Sequence, residues 1–527
     1  MTPSPAVTAD APAHSQERPP TVLSALRSPR RLRIELLSGL VVALAMIPEV
    51  LSFSVLAGVD PKVGLFTAVI MAITIAVVGG RPAMVSAAAG ATALVIAPLV
   101  ASHGTDYLVA AVLLAGLMQI LLALLGVARL MRFIPRSVMT GFVNALAVLI
   151  LLAQLPHLVG RDLPWLVYPL LALCVVLLVV VPRLTSAVPA PLVAIVAVTV
   201  LVAVTGWQVP DVADQGELPS SLPIPGLPHV PFTLETLRII APYALAMALV
   251  GLMESLLTAK LVDDITDTRS DKTRESWGQG VANLMAGAFG GMGGCAMIGQ
   301  TMVNVKQGGG RTRLSTFSAG VFLLILVLLL SEAVGRVPMV ALAGVMLAVC
   351  ASTVDWHSLR PSTLRAMPLS ETVVMAVTVV VTVWTHNLAI GVVLGVLTAI
   401  VLFARRVAHL VRVEPEGPTM ADTADGADGA DGADGADGGT LTVRRYRVRG
   451  QLFFASSNDL VHQFDYAGDP EDVVVDLSAA EVWDASTVAA LDAVVTKYAE
   501  RGKRARIVGL DGASARRMER LSGRLGA

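Results

Sequence analysis

Two glutamates lie deep in apolar stretches of the sequence. Glu49 follows a proline, and Glu254 is followed one helical turn later by Thr258. A charged carboxylate in hydrocarbon is costly, so such residues usually face a cavity and mark ion or proton pathways. The two residues therefore predict a proton-coupling site, or at Glu254 and Thr258 a small-cation site on one helix face. Each glutamate could instead be a neutral carboxyl that is hydrogen-bonded to a neighbouring helix.

Two glycine-rich segments, residues 79–90 and 287–301, have an irregular approach followed by a short apolar helix. Irregular backbone at membrane depth is tolerated only where it lines a cavity or is buried in protein. A helix that begins there directs its free N–H groups and its positive dipole end into the cavity, and two such ends predict an anion site. Alternatively, the small residues only allow close helix packing. The predicted substrate-binding residues are Ser86, Ala87, Ala88, Cys295, Ala296 and Met297.

The elements that position these residues are apolar segments. The chain has 527 residues, of which 55% are hydrophobic and 15% charged, against about 25% charged in a typical soluble domain. This composition predicts a polytopic α-helical membrane protein. The fourteen predicted spans are 34–57, 61–78, 86–100, 107–126, 138–156, 165–182, 189–206, 239–262, 277–291, 296–305, 314–331, 338–351, 368–384 and 387–404.

The spacing of the unusual segments predicts an internal repeat. The interrupted segments are the third and tenth spans, and the glutamates lie in the first and eighth, so both pairs are offset by seven. Paired interrupted segments are typical of inverted-repeat transporters, and the offset predicts a seven-plus-seven repeat. The predicted outer loops hold only Lys62, Arg161, Arg238 and Arg336, so the positive-inside rule places both termini in the cytoplasm.

The ends of the chain differ from its apolar middle. Residues 1–30 are interpreted as a disordered tail, 31–412 as the membrane domain, 413–439 as an acidic Ala-Asp-Gly linker and 440–527 as a small α/β domain. In that domain strands are predicted at 441–448, 451–454, 473–477 and 505–510, and helices at 487–498 and 513–521.

Several functional classes are disfavoured. The net charge of −1 argues against a nucleic-acid binder. No nucleophile–histidine–acid set or histidine-rich cluster lies within the spans, so an enzyme is disfavoured and no cofactor is predicted. The Ala-Asp-Gly repeat lacks the EF-hand spacing and its terminal glutamate, so no metal site is predicted either.

The sequence resembles the SulP sulfate-permease family, whose members have a C-terminal STAS domain. The family usually has glutamine where this chain has Glu49, and its pattern also changes across residues 79–90. The segments that carry the resemblance are Leu44-Ala45-Met46-Ile47-Pro48-Glu49, Leu56 to Pro61, Gly64-Leu65-Phe66, Gly251 to Thr266, Gly450 to Ala455 and Val473 to Ser478.

The resemblance implies a fold and a site. Spans 1–4 and 8–11 would form a core domain, and spans 5–7 and 12–14 a gate domain, with the anion between the N-termini of half-helices 3 and 10. Alternating access would be elevator-like, in a homodimer of the bacterial inner membrane. Some relatives couple to sodium through a helix 8 carboxylate and a hydroxyl one turn later, which Glu254 and Thr258 match. Others couple to protons, and we expect Glu49 to carry the proton.

The resemblance also implies a regulatory position in the cytoplasmic STAS domain. Ser486 matches a serine that is phosphorylated in signalling relatives, so the resemblance implies cytoplasmic regulators as partners of this domain. Alternatively, Ser486 caps the helix that follows it.

The combined prediction is secondary transport of a small anion, such as sulfate, bicarbonate or a fumarate-like dicarboxylate, by proton-coupled symport. The alternatives are a sodium-coupled symporter, an uncoupled channel or exchanger, a nucleobase transporter of the same fold, and a membrane-tethered signalling protein. Backbone N–H groups read charge and size, so the identity of the anion stays open.

Overall fold

The computed structural model describes residues 21–126, 129, 134–159, 164–184, 189–219, 221–408, 411–420 and 442–523. It divides into two compact units, Met1–Val396 and Leu397–Ala527. The first unit is helical, apart from two strands of two residues each, β1 (Ser86–Ala87) and β2 (Cys295–Ala296).

The helices of the membrane region follow the predicted apolar segments. They are α1 (Val22–Leu26), α2 (Pro29–Ala57), α3 (Pro61–Val78), α4 (Gly90–His103), α5 (Thr105–Leu124), α6 (Arg136–Leu158), α7 (Val167–Leu184), α8 (Ala190–Thr205), α9 (Leu234–Thr266), α10 (Lys272–Ala288), α11 (Ile298–Met302, continued by a π-helical turn over Val303–Gln307), α12 (Arg313–Leu329), α13 (Ser331–Gly335), α14 (Met339–Thr353), α15 (Pro361–Ala366), α16 (Leu369–Thr385) and α17 (Leu388–Ala408).

Each predicted apolar segment coincides with one of these helices. Seven of them are long and apolar enough to cross a membrane on their own, namely α2, α3, α5, α6, α7, α9 and α17. Five further apolar helices are shorter, namely α4, α8, α12, α14 and α16. The membrane-protein fold class therefore agrees with the structure, and the number of fourteen complete spans stays a prediction.

The helices pack in two groups. In the first, which we call the core helices (α2–α5 and α9–α12), α10 packs against α5, and α12 against α2 and α3. In the second, the gate helices (α6–α8, α14, α16 and α17), α6 packs against α14 and α16, and α7 against α8 and α14. Glycine allows α5 and α10 to pack closely, because a Cβ on Gly116 of α5 would lie only 2.7 Å from the carbonyl oxygen of Gly280 on α10.

The predicted N-terminal tail, residues 1–30, extends too far along the sequence. Residues 22–26 form α1, and the Thr21 side chain accepts a hydrogen bond from the Ser24 amide at its start. Pro29 begins α2, where a proline at the first position costs no hydrogen bond. The prediction of disorder is therefore wrong for residues 22–26 and 29–30, and residues 1–20 lie outside the described residues.

The second unit contains four strands and three helices, namely β3 (Arg412–Met420), β4 (Thr442–Leu452), α18 (Phe454–Leu460), β5 (Asp472–Val482), α19 (Ala485–Ala499), β6 (Arg504–Val508) and α20 (Gly512–Leu521). The strands form one sheet in the order β3-β4-β5-β6. The first pair is antiparallel and the other two pairs are parallel. The buried core of the unit includes Leu477, Val488 and Leu491.

A buried aspartate fastens the sheet to α19. The Asp469 carboxylate accepts hydrogen bonds from the hydroxyl of Tyr498 at 2.6 Å and from the hydroxyl of Tyr446 at 2.8 Å. Burial, together with this carboxylate, raises the pKa of both tyrosines, so both stay protonated donors at physiological pH. Arg444 also lies 3.3 Å from Asp469 and balances its charge.

Two boundaries in this unit differ from the prediction. Residues 413–420 were assigned to the linker, but they form most of β3, whose Glu416 pairs with Arg447 of β4 at 2.7 Å. Residues 451–454 were predicted as one strand, but β4 ends at Leu452 and Phe454 begins α18. The Phe454 amide donates to the Asp484 carboxylate at 2.6 Å, which favours the turn there. The remaining repeat, 421–439, lies outside the described residues.

Candidate anion-binding site

The two interrupted segments meet through β1 and β2. Ser86 pairs with Ala296 and Ala87 with Cys295 in an antiparallel register. The pairing extends outward, because the Met297 amide donates to the Val85 carbonyl at 2.9 Å. Since α4 begins at Gly90 and α11 at Ile298, both helices begin next to this pairing.

The predicted substrate-binding residues surround this junction and are all buried, with Met297 the most exposed at 5%. The residues that precede the two helices, Ala89 and Met297, have no side-chain oxygen that could cap the first-turn N–H groups. Free N–H groups at a helix N-terminus attract an anion through hydrogen bonds and through the helix dipole. The junction therefore has the groups that an anion site needs.

Glu254 reaches β2 from α9. Its side chain is 8% exposed, and its Oε2 accepts a hydrogen bond from the Cys295 thiol at 3.0 Å. The next residue, Ser255, accepts a hydrogen bond from the Ala296 amide at 3.1 Å. Thr258 is buried one turn away, and its hydroxyl donates to the Glu254 carbonyl at 2.8 Å. Glu254 thus touches a predicted binding residue, whereas the Thr258 hydrogen is used within its own helix.

Glu49 lies beside α11 rather than beside β2. Its carboxyl interacts with the Gln300 side chain, and one of its oxygens lies 4.0 Å from where a Cβ of Gly299 would be. Gln300 also donates to the Ala45 carbonyl of α2 at 3.3 Å. Both glutamates therefore contact the segment 295–300.

No group of three or more metal-ligating side chains is found within the described ranges.

A polar side chain that the sequence analysis did not single out contacts the site directly. Gln279 of α10 donates through Nε2 to the Ser86 hydroxyl at 2.6 Å and to Glu275 Oε1 at 2.8 Å. The other Glu275 oxygen accepts the amides of Gly80 at 2.7 Å and Arg81 at 2.9 Å. This arrangement ties α10 to the irregular approach to β1.

A second such residue lies one turn further along α10. Asn283 accepts a hydrogen bond from the Gly294 amide at 2.8 Å and donates to the Gly294 carbonyl at 3.1 Å. It also donates to Gln119 of α5 at 2.9 Å. Polar residues four apart in an apolar span share one helix face, and this spacing is the signal that would have found Gln279 and Asn283.

The candidate regulatory residue lies in the second unit. Ser486 is exposed in the first turn of α19. The cap of that helix is Asp484, whose carboxylate accepts from the Thr487 amide at 3.0 Å. The alternative that Ser486 is the helix cap is therefore wrong.

Comparison with known proteins identifies the membrane region. The model of the sulfate permease family matches residues 32–164 and 162–378. The chain belongs to the sulfate permease family. A STAS domain model matches residues 439–522 of the same chain. The predicted family and its C-terminal domain are both confirmed.

Relatives of this sulfate permease family member are named as transporters. "Putative sulfate transporter YbaR" of Bacillus subtilis (strain 168) is 48% identical over 491 residues, which cover 93% of this chain and 97% of the relative. "Bicarbonate transporter BicA" of Synechocystis sp. is 28% identical, with 93% of this chain and 91% of the relative covered. The chain is therefore a transporter-family protein rather than an enzyme.

Solved structures support the same architecture. The transmembrane domain of a cyanobacterial bicarbonate transporter, BicA, matches with a TM-score of 0.62 and 27% identity, over 69% of this chain and 97% of that domain. The murine Slc26a9 anion transporter in its inward-facing state matches with a TM-score of 0.76 over 93% of this chain and 87% of its own; at 17% identity it shows the fold alone. The chain is accordingly a membrane-embedded, multi-pass member of an anion transporter family.

Proposed function

We propose that this chain carries a small oxyanion across the membrane and binds it at the junction of β1 and β2. The observation that carries the proposal is the pairing of Ser86–Ala87 with Cys295–Ala296, beside the uncapped starts of α4 and α11. Small side chains at the pairing leave the first-turn N–H groups of α4 and α11 within reach of a ligand. Relatives named as sulfate and bicarbonate transporters support an oxyanion as the cargo.

Coupling to protons is the second part of the proposal. An ionised carboxylate near a bound anion opposes binding, and protonation removes that repulsion, so proton and anion each favour the binding of the other. We assign the proton to Glu49, because this side chain is partly exposed and can exchange protons. Glu254 is more deeply buried and already accepts the Cys295 thiol.

Sodium coupling through Glu254 and Thr258 is less well supported. Hard cations such as sodium take oxygen ligands. The Glu254 carboxylate accepts a hydrogen bond from the Cys295 thiol, and the Thr258 hydroxyl donates to a carbonyl within its own helix. A proton needs no such ligand set, so these contacts favour it.

The packing of the helices supports an elevator-like movement, because the core helices contact one another more extensively than they contact the gate helices. The homodimer, the inner-membrane location, the cytoplasmic termini and regulation at Ser486 belong to the same proposal. They rest on the family resemblance and on the charge distribution of the loops.

Uptake into proteoliposomes tests this proposal. Labelled sulfate, bicarbonate, chloride and fumarate would each be offered under an inward proton gradient and then under an inward sodium gradient. We expect proton-driven accumulation of an oxyanion, and its loss in Glu49→Gln while downhill exchange persists. Sodium-driven uptake that survives in Glu49→Gln and disappears in Glu254→Gln would contradict the assignment.

A further inference from the structure

The Gln279 amide is held in one orientation. The side chain is fully buried, and its Nε2 donates to both Ser86 Oγ and Glu275 Oε1. If the amide were flipped, its oxygen would face the Glu275 carboxylate, and two acceptors would then oppose each other. The Gly80 and Arg81 amides hold that carboxylate in place. Glu275 therefore determines which end of the Gln279 amide faces Ser86.

This orientation makes Ser86 a hydrogen-bond donor at the anion site. Its oxygen already accepts from Gln279, so its hydroxyl hydrogen is left for another acceptor. Ser86 lies in β1, where it pairs with Ala296 close to the start of α4. An oxyanion at the junction would accept this hydrogen.

The oxygen of the Gln279 amide, Oε1, is a buried acceptor without a hydrogen-bond partner among the described residues. A buried acceptor left unpaired is costly, and it calls for a donor that the protein does not itself supply. Because Oε1 and Nε2 share one carbon, this acceptor lies in the same buried neighbourhood as the Ser86 hydroxyl.

Two other buried amides of the core helices are arranged differently. Asn283 uses its oxygen to accept from the Gly294 amide. Gln300 also has an unpaired oxygen, but its nitrogen donates to the Ala45 carbonyl of α2 and not to β1 or β2. Gln279 thus combines a direct bond to a predicted binding residue with an unpaired acceptor.

We propose that Gln279 makes the anion site selective for oxyanions that carry a hydrogen, such as bicarbonate, over oxyanions that carry none. A hydrogen-bearing oxyanion accepts from Ser86 through one oxygen and donates to Gln279 Oε1 through its hydroxyl group. Nitrate has the same planar shape and single charge as bicarbonate, but it has no hydrogen and leaves Oε1 unpaired. Gln279 is a specificity-determining residue in this scheme, which rests on the anion site proposed above.

Calorimetric titration of the purified full-length chain with bicarbonate and with nitrate tests the inference. We expect the wild type to bind bicarbonate about tenfold more tightly than nitrate, because a site built to hydrogen-bond a hydroxyl group rejects analogues that lack it. Gln279→Met should remove that preference by weakening bicarbonate binding, with nitrate binding changed by less than about threefold. Ser86→Ala should weaken both anions, since both accept its hydrogen.

Gln154→Met is the matched control, because Gln154 is a buried glutamine of the gate helix α6. It should leave the ratio of the two affinities unchanged. Equal affinity of the wild type for both anions, or equal weakening of both by Gln279→Met, would overturn the inference while the anion site stands. A wild type that neither binds nor transports any oxyanion would instead overturn the proposed function. Equal wild-type affinities overturn the inference even if Gln279→Met does not fold.

Discussion

The core and gate helices are held together by different kinds of contact. In the core, buried polar side chains bond to backbone groups of the interrupted segments, as Asn283 does to Gly294 and Glu275 to Gly80. In the gate, contacts are largely apolar, and glycines of α17 approach Thr378 and Thr382 of α16. Irregular backbone therefore needs specific polar partners, whereas regular helices need only complementary surfaces.

Adding one methyl group at the junction should reduce transport more than any other change considered below. A Cβ on Gly294 would overlap the Ala87 carbonyl oxygen, so Gly294→Ala should force β1 and β2 apart. We expect oxyanion uptake to fall by about tenfold or more, because small misplacements of binding groups are costly. Gly226→Ala is the control, since a Cβ there meets nothing within 4 Å. Normal uptake by Gly294→Ala would contradict the account of the junction.

A smaller effect is expected at Asn283, where one substitution should lower both the stability of the protein and its affinity for the anion. Asn283→Leu leaves the amide and carbonyl of Gly294 without their side-chain partner, at a cost of about 1–3 kcal/mol for each unsatisfied group. We expect a lower Tm together with weaker anion binding. Thermal unfolding and anion titration on the same purified protein would measure both.

The gate helices offer a substitution that matches Asn283→Leu, at Asn144. Asn144 of α6 donates to the Ser358 hydroxyl at 3.0 Å and accepts the Asp355 amide at 2.8 Å. Asn144→Leu should lower the Tm by a similar amount and leave the anion affinity unchanged. If the gate variant weakened binding as much as the core variant, the distinction between the two regions would fail.

The smallest effect is expected at two threonines. Thr258 of the core and Thr378 of the gate are both buried, and each donates to the carbonyl four residues earlier in its own helix. Under proton coupling, Thr258→Val and Thr378→Val should each change uptake by less than about twofold, since such local bonds add little to a helix. Selective loss of uptake in Thr258→Val would revive the sodium alternative, and the test is uptake under each ion gradient.

Local sequence patterns were sufficient to predict much of the fold. Long apolar runs marked the positions of the helices, and the glycine-rich segments at an offset of seven indicated that the third and tenth would be paired. The structure brings these segments together at β1 and β2. The register of that pairing could not be predicted, because two-residue strands leave no alternating pattern.

Two of the errors and omissions originate in long-range contacts. Residues 413–420 were interpreted as linker because they are polar, but β3 is stabilised by Arg447 on β4, about thirty residues away in the sequence. Gln279 was missed because its importance depends on Ser86 and Glu275 together. Ser86 and Gln279 come from the two halves of the predicted repeat, so no local window contains both.

The three cysteines give the most direct test of the central claim, that an oxyanion binds at the junction of β1 and β2. Cys295 lies in β2, whereas Cys174 and Cys350 lie in gate helices, and all three are buried free thiols. Their modification by a small methanethiosulfonate reagent would be followed by mass spectrometry in the wild-type protein, with and without sulfate or bicarbonate. An oxyanion bound at the junction should slow the reaction of Cys295 and leave the rates of Cys174 and Cys350 unchanged. A Cys295 rate that is insensitive to every oxyanion, or that changes equally with the gate cysteines, would contradict the claim.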